Sequence, residues 1–231
     1  MFDRRPPVTY IVAMSKRIKD LLYEQVARIG KAASSPKRLE LLDLLCQGEK
    51  SVDTLAREAA ISMKLASAHL RALRAAQLVE TEKRGKQVLY RLASSGVGEL
   101  WVSLRELAEE RLVELQMALR DMALDPRQLA PRDRASLEKA ARKGDLVVLD
   151  VRPAAEYEAA HLPYARSLPI DELKSRLDEL PRDKTIVAYC RGPYCLMARD
   201  AVVLLRKKGF DALHLPEGVV EWGLTPVRAA D

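Results

Sequence analysis

The hydrophobic pattern changes across the proline-containing segment DPRQLAPRD near residue 125, and this change constrains the fold most. Before the segment, apolar residues recur at steps of three and four, which is typical of amphipathic helices. After it, short runs of β-branched residues alternate with helical stretches, which is typical of βαβ units. The pattern therefore predicts two domains at residues 15–122 and 133–231, a linker at 123–132 and a loose tail at 1–14.

The first domain is predicted to be mainly α-helical, with the element order of a winged helix-turn-helix. An amphipathic helix spans 15–31, a second opens at Pro36, and two short helical patterns follow in SVDTLAREAA and ISMKLASAHLRALRAAQ. Ser62 is a good N-cap for the last of these helices. The segment LVETEKRGKQVLYRLA then alternates on both sides of Gly85-Lys86, which predicts a β-hairpin.

A long helix is predicted at residues 98–120, with leucines along one broad face. This apolar stripe needs cover, and a second copy of the chain would bury it as in a coiled coil. The sequence therefore predicts a homodimer that forms through this helix.

The net charge of +6 arises in the first half of the chain. Residues 1–120 hold 21 basic and 15 acidic side chains, whereas residues 121–231 hold 18 of each. Within residues 62–91, seven side chains are basic and two are acidic. A basic surface on a winged helix favours a polyanion, here a double-stranded DNA operator, although a helical domain with a solvated basic face would give the same count.

The DNA-contacting residues follow from the phase of the capped helix. If Ala66, Leu70 and Leu73 are buried, the opposite face presents small and basic side chains to the major groove. The predicted DNA-binding residues of this helix are Ser62, Lys64, Ser67, Ala68 and Arg71. The hairpin tip is predicted to reach phosphates or the minor groove through Lys83, Arg84 and Lys86.

The second domain is predicted to be α/β with a parallel sheet. Apolar runs at 146–151, 185–190 and 211–215 are predicted strands, and 196–209 is a predicted helix. The loop CRGPYC follows the second of these strands, with Cys190 at its start and Cys195 at its end.

Several chemistries place two cysteines in such a loop. A zinc site needs about four ligands, and no second cysteine pair is present, so no metal is predicted. A phosphatase or arsenate reductase loop needs an arginine where Leu196 stands. A sulfur carrier and a thiol switch are both compatible with this loop. In the switch, Cys195 could act as a resolving thiol that attacks a persulfide or sulfenate on Cys190. Cys195 as a small packing residue at the helix start is an equal alternative.

A sulfur carrier fits a loop between a strand and a helix. Backbone N–H groups would converge on the sulfur of Cys190, stabilise a thiolate and lower its pKa from about 8.5. Cys190 is therefore the predicted nucleophile, and Arg191 would attract an anionic donor such as thiosulfate or polysulfide. The predicted active-site loop consists of Arg191, Gly192, Pro193, Tyr194, Cys195 and Leu196.

Residues 24–120, through SPKRLELLDLL, SVDTLAREAAIS, LASAHLRALRAAQLVE and GKQVLYRL, resemble the ArsR family of dimeric transcriptional repressors. Metal-sensing members carry a Cys-x-Cys pair where this sequence has Ser51-Val52-Asp53, so the resemblance implies DNA binding and dimerisation without classical metal sensing. Cys46, alone in a leucine-rich helix, is predicted to be a buried apolar residue.

Residues 131–231 resemble the rhodanese family of sulfurtransferases. LDVRPAAEYEAAHLPYARSLPIDEL, VAYCRGPYC and LPEGVVEWGLTPV are similar to the opening, active-site and closing segments of that family, with Asp150, Arg152, Glu156, Tyr157, His161 and Pro163 in place. The resemblance implies that Cys190 is the nucleophile. The sequence departs from the family at Tyr164, where glycine is usual, and at Cys195, where serine or threonine is frequent.

Together these features predict a DNA-binding repressor whose rhodanese-like domain carries or senses sulfane sulfur as a persulfide on Cys190. The signal would reach the operator-binding face through the linker and the dimer helix. The alternative is a thiosulfate-type sulfurtransferase whose winged helix serves for dimerisation or positioning. No cofactor is predicted. The cytoplasm is the predicted location, because no apolar run approaches the about 18 residues of a membrane helix and no signal peptide is recognisable.

Overall fold

The computed structural model describes residues 8–131 and 133–224, with side chains from Lys16 onward. In its first half the elements are α1 (Val8–Ala33), α2 (Pro36–Leu45), β1 (Lys50–Ser51), α3 (Val52–Glu58), α4 (Met63–Ala75), β2 (Val79–Arg84), β3 (Gln87–Leu92), α5 (Ser95–Arg111) and α6 (Val113–Met122). This is the predicted order of a winged helix-turn-helix. None of the helices in the described ranges has the length and apolar composition needed to cross a membrane.

The helix α4 is the one that the sequence predicts for DNA recognition. Its N-cap Ser62 accepts a hydrogen bond from the backbone N–H of Leu65 over 3.2 Å, which fixes where the helix starts. Ala66, Leu70 and Leu73 are fully buried, and α4 packs against α2 and α3. The predicted phase of this helix is therefore confirmed.

The strands β2 and β3 form the predicted hairpin, which is the wing of the domain. Arg84 pairs with Gln87 across the turn. A further strand that the sequence did not predict, β1, pairs with β3 and places Lys50 opposite Tyr90. A strand of two residues is too short to show alternation, so the sequence carries no pattern for it.

The second half contains α7 (Arg134–Lys143), β4 (Leu146–Asp150), α8 (Ala154–Ala159), β5 (Ala165–Ser167), α9 (Ile170–Leu173), β6 (Thr185–Tyr189), α10 (Met197–Lys207) and β7 (Ala212–His214). The four strands form a parallel sheet in the order β5-β4-β6-β7. The three predicted strands are confirmed, and the short β5 is an addition. Because β6 lies inside the sheet, the loop that follows it opens at the carboxyl edge, where parallel sheets bind ligands.

The predicted linker is attached to the second domain. Pro126–Gln128 form a short 3₁₀ turn, and Leu129 makes a parallel bridge to His214 of β7. The backbone N–H of Ala130 donates to the carbonyl of His214 over 2.8 Å. The linker therefore extends the edge of the parallel sheet.

Two helix boundaries differ from the sequence-based prediction. The helix α1 begins at Val8, so part of the expected loose tail is helical, and residues 1–7 lie outside the described residues. The helix predicted at 98–120 is divided into α5 and α6, because Leu112 has the extended backbone angles φ −102° and ψ 109°. The leucine spacing continues through this residue, and spacing alone does not report a change in φ and ψ.

Large apolar side chains of α1, α5 and α6 are exposed on the single chain. On α1 they are Ile18, Leu21, Leu22, Tyr23 and Val26, and on α5, α6 and the residue between them they are Leu100, Leu104, Leu107, Leu112, Val113 and Met117. An apolar surface of this extent indicates an interaction face.

A buried ion pair stands at the carboxyl ends of β4 and β6. Arg152 and Asp150 are fully buried, and Arg152 Nη2 lies 2.6 Å from Asp150 Oδ2. The hydroxyl of Tyr189, the last residue of β6, donates to the same carboxylate over 2.5 Å. This cluster fixes the strand ends from which the CRGPYC loop departs.

We expect Arg152→Met to lower the free energy of unfolding by about 3–5 kcal/mol, because Asp150 would keep a buried charge without its counter-ion. Urea denaturation followed by circular dichroism measures this loss. Arg166→Met is the matched control, since Arg166 pairs with Glu179 at the surface and its removal should leave stability nearly unchanged. Equal losses in the two variants would contradict the assignment.

Candidate functional site

The CRGPYC loop joins β6 to α10 at the carboxyl edge of the parallel sheet. The backbone N–H groups of Gly192 and Ala198 point at the sulfur of Cys190, and that of Arg191 points at the sulfur of Cys195. The thiol of Cys190 also donates to the carbonyl of Cys195 over 3.4 Å. The predicted cradle of amides is present, and it serves both cysteines.

The segment around Gly218, near the end of the second domain, packs against the backbone of the loop. A Cβ atom at Gly218 would lie 2.7 Å from the carbonyl oxygen of Cys190 and 2.7 Å from the carbonyl carbon of Arg191. Only glycine can stand this close to the loop backbone. The N–H of Gly218 donates to the carboxylate of Glu221 over 2.7 Å, which holds this segment in place.

The two loop cysteines differ in exposure and in acidity. Cys190 is 1% exposed, and burial raises its pKa well above the ordinary value. Cys195 is half-buried, and a hydrogen bond from the Cys190 thiol lowers the pKa of Cys195 to about 7. The expectation of a lowered pKa at Cys190 is therefore wrong, because desolvation at this depth outweighs the amide dipoles. The third cysteine, Cys46, is fully buried as predicted.

The loop contacts the winged-helix domain through four charged side chains, two of them buried and two half-buried. Arg191 Nη2 lies 2.7 Å from Glu58 Oε2 of α3 and 2.5 Å from Glu156 Oε1 of α8. Lys50 Nζ of β1 lies 2.6 Å from Glu156 and 3.6 Å from Glu58. The most exposed of these side chains is Glu58, at 17%. We call Lys50, Glu58, Glu156 and Arg191 the charge quartet, in which two cations and two anions neutralise each other across the domain interface.

Two further contacts fix the loop against the first domain. Gln47, which follows α2, accepts a hydrogen bond from Arg152 over 2.9 Å and donates one to the carbonyl of Arg191 over 3.3 Å. Arg105 of α5 lies 2.7 Å from Glu221, the residue that holds Gly218. Gln47 and Arg105 of the DNA-binding domain therefore hold the loop, the first directly and the second through Glu221.

A cavity of about 460 Å³ lies where the loop faces α2 and α5. The winged-helix domain supplies Asp43 and Trp101 to its wall, and the loop supplies Tyr194 and Cys195. The indole of Trp101 donates to Asp43 over 2.8 Å, and burial raises the pKa of Asp43 to about 6. Of the two loop cysteines, Cys195 is the one that lines this cavity.

The predicted DNA-contacting residues are exposed or half-buried. Lys64, Ala68 and Arg71 are exposed on α4, Ser67 is half-buried, and Ser62 is exposed at the N-cap. At the wing tip Lys83, Arg84 and Lys86 are exposed. The guanidinium of Arg84, however, is bonded to the carboxylates of Glu49 and Glu82, which offsets its charge. We therefore expect the two lysines to contribute most of the positive charge of the wing.

The histidines take no direct part in the loop. His161 stacks on Tyr157 with ring centroids 4.0 Å apart. His214 lies in β7, where burial lowers its pKa to about 4. In the part of the chain that the structure describes, no group of three or more His, Cys, Asp or Glu side chains is placed to hold a metal ion.

The sequence did not reveal the residues through which the domains meet: Gln47, Lys50, Glu58 and Arg105. Lys50 and Glu156 are 106 positions apart, and no local pattern connects them. Two of the residues carried by the rhodanese resemblance, Arg152 and Glu156, contact the other domain, and Glu156 also contacts the loop through Arg191. The sequence carried no local signal for these residues, because the burial of Lys50 and the charges that compensate it are set by the packing of the two domains.

Known proteins match both halves of the chain. The model of bacterial regulatory proteins of the arsR family matches residues 35–81, and the rhodanese-like domain model matches residues 133–225. HTH-type transcriptional regulator Rv0324 of Mycobacterium tuberculosis is 41% identical over 206 residues, which are 89% of this chain and 90% of that protein. A sulfurtransferase of Allochromatium vinosum is 29% identical over 37% of this chain and 78% of its own length. A homodimeric winged helix-turn-helix DNA-binding domain from Mycobacterium bovis is 40% identical over 42% of this chain and 89% of that chain, with a TM-score of 0.40.

The fold and the site define a winged-helix transcriptional regulator with a rhodanese-like second domain. The two family models each match a segment of one half, and one relative matches nearly the whole chain. The chain belongs to the ArsR family of bacterial regulatory proteins.

We expect iodoacetamide to modify Cys195 before Cys190 and Cys46, because the thiolate is the reactive form and Cys195 is the most exposed of the three. The rate at Cys195 should rise with pH through about 7 and then level off, as the thiolate fraction saturates. Mass spectrometry of peptides after brief labelling measures this order. Cys195→Ser should lose the fast phase, and a fast phase located at Cys190 in the unsubstituted protein would contradict the assignment.

Proposed function

We propose that this regulator is an operator-binding repressor that senses sulfane sulfur, which it carries as a persulfide on Cys190. Double-stranded DNA would be contacted by α4 and the wing, and the effector would be a small sulfur donor. The family assignment supports regulation of transcription, and the exposed basic residues of α4 and the wing support contact with DNA phosphates. The amide cradle of the loop supports a sulfur anion.

The observation that carries this proposal is the docking of the cysteine loop on the DNA-binding domain. Arg191, the neighbour of Cys190, holds Glu58, which is the last residue of α3. Residues 59–62 lead from Glu58 directly into α4. The loop is thus one ion pair and one turn away from the recognition helix, a shorter route than the linker and dimer helix that the sequence suggested.

A persulfide would disturb this contact for two physical reasons. Cys190 is 1% exposed, so a further sulfur atom has to displace its neighbours, and overpacking of this kind costs about 1–3 kcal/mol. A persulfide anion would also compete with Glu58 and Glu156 for Arg191. Both effects favour a different arrangement of the loop against α3. Such a difference in stability between two states is what coupling to DNA affinity requires.

The exposed apolar face of α1, α5 and α6 supports a homodimer. Leu104 and Leu107 of α5 are 38% and 54% exposed, and Val26 of α1 is 71% exposed. Burying these side chains against a second copy would remove a large apolar area from water. A dimer would also present two α4 helices to two half-sites of an operator.

Sensing explains the structure better than sulfurtransferase turnover does. Cys190 is covered by its own loop, and the loop is covered by the first domain through Gln47 and the charge quartet. A sulfur acceptor in solution would have to displace these contacts to reach Cys190 directly in each catalytic cycle. A sensor needs them, because they transmit the change.

We expect a sulfur donor to change the operator affinity of the protein by about tenfold, and Glu58→Gln to reduce that factor, since Arg191 would lose a charged partner on α3. Fluorescence anisotropy at fixed salt, with and without donor, measures both. Asp53→Asn is the matched control on the same helix, because Asp53 is 68% exposed and pairs only weakly with Arg57. If the donor left the affinity of the unsubstituted protein unchanged, sensing would be wrong.

The wing gives a second test of the DNA-binding face. We expect Lys86→Ala to lower the slope of log affinity against log salt by about one, because one phosphate contact is lost. Arg84→Ala should lower it less, since Glu49 and Glu82 already offset that charge. Anisotropy titrations at several salt concentrations measure the slopes. A larger effect at Arg84 than at Lys86 would contradict the assignment of the wing charges.

A further inference from the structure

The cavity between the loop and the first domain opens onto one loop cysteine. Cys195 lines its wall and is half-buried, whereas Cys190 is 1% exposed on the inner side of the loop. A molecule that enters the cavity therefore meets Cys195 first. Its apolar wall includes Leu39, Trp101 and Tyr194, which can hold a short carbon chain.

We propose that this cavity is the binding site of the sulfur donor, that Cys195 takes the sulfur first, and that the donor is a small organic persulfide carrying an ammonium group. This inference rests on the proposed function, because it names the substrate class and the entry route of the same site. It assigns Cys195 a catalytic role beyond that of a resolving thiol.

The chemistry needs no oxidant or reductant beyond the donor. The Cys195 thiolate attacks the terminal sulfur of R–S–SH, so that a bond from Cys195 to that sulfur forms, the S–S bond of the donor breaks, and the thiolate R–S⁻ leaves. Cys190 then attacks the same sulfur atom on Cys195. The second step forms the Cys190 persulfide, returns Cys195 as a thiol and moves one proton from Cys190 to Cys195. The thiol of Cys190 already donates to the carbonyl of Cys195 over 3.4 Å, so the two residues are in contact.

The charges around the cavity select the donor. Three carboxylates, those of Glu40, Asp43 and Glu58, stand in the wall, and Arg191 is its one cation among the described residues. Arg191 is already bonded to Glu58 and Glu156. Lys37, near the rim, donates to Glu40 over 2.8 Å. Glu40 and Glu58 are thus paired with cations, and Asp43 is the wall carboxylate that has no ion pair among the described residues. Its negative charge would attract an ammonium group and repel a dianion such as thiosulfate.

The order in which the two cysteines accept sulfur is tested on single variants of the full chain. Each variant is treated with 2-aminoethyl persulfide, and the added sulfur is located by peptide mass spectrometry. Cys190→Ser should still gain one sulfur atom, and peptide mapping should place it on Cys195. Cys195→Ser should be loaded about a hundredfold more slowly, because Cys190 is held as a buried thiol. If Cys195→Ser loads Cys190 at the original rate, or Cys190→Ser fails to load while retaining its circular dichroism spectrum, Cys195 is not the entry thiol.

The donor class is tested with a charge series of matched persulfides: 2-aminoethyl, 2-hydroxyethyl and 2-carboxyethyl persulfide, with thiosulfate as the dianion. Loading rates should fall in this order, by about tenfold between the first and the third. Glu40→Gln should narrow that ratio, and Asp53→Asn, which removes an exposed charge outside the cavity, should not. Equal rates for the three organic donors, or faster loading by thiosulfate, would overturn the assignment of the donor.

These outcomes are separable from failure of the proposed function. Operator affinity is measured on the same samples, so a protein that loads through Cys195 without any change in affinity would refute sensing and keep the entry route. A protein that changes affinity while loading directly at Cys190 would refute the entry route and keep sensing.

Discussion

The charge quartet of Lys50, Glu58, Glu156 and Arg191 is the interaction on which the interface between the domains depends. A charge that is removed from water without a counter-ion is costly. Each of these four charges has one ion-pair partner in its own domain and one in the other domain. Three of the contacts are charge-assisted hydrogen bonds of 2.5–2.7 Å, which depend on distance and direction, so a small shift of one domain against the other weakens them. The quartet therefore gives the two domains a defined register, and any change at the loop has to be accommodated as a discrete rearrangement.

The cysteine pair shows how depth divides chemical roles between identical residues. Both sulfur atoms receive backbone N–H groups, yet burial raises the pKa of Cys190, whereas the hydrogen bond from Cys190 lowers the pKa of Cys195 to about 7. The acidic thiol is thereby the one at the cavity, and the sheltered thiol is the one beside the ion pairs. This division suits a site in which Cys195 accepts the sulfur atom and the persulfide on Cys190 then alters the contacts of Arg191.

The features that the sequence predicted correctly depend on neighbouring residues, and most of those that it missed depend on the whole fold. The cap at Ser62, the buried phase of Leu70 and the turn at Gly85 are properties of neighbouring residues, and the structure confirms them. The break at Leu112 was missed because leucine spacing runs through it. The acidity of the cysteines was misassigned because burial is a property of the whole fold, and the same holds for the partners of Lys50.

The attachment of Leu129 and Ala130 to the edge of β7 has a consequence for how the protein would work in a cell. A flexible linker would let the two domains separate, whereas the linker of this protein is bonded to β7 and keeps the domains close together. Docking of the loop on α3 is then an intramolecular equilibrium, with an effective concentration in about the millimolar range or above. The balance between docked and undocked loop is therefore independent of how many copies of the protein are present.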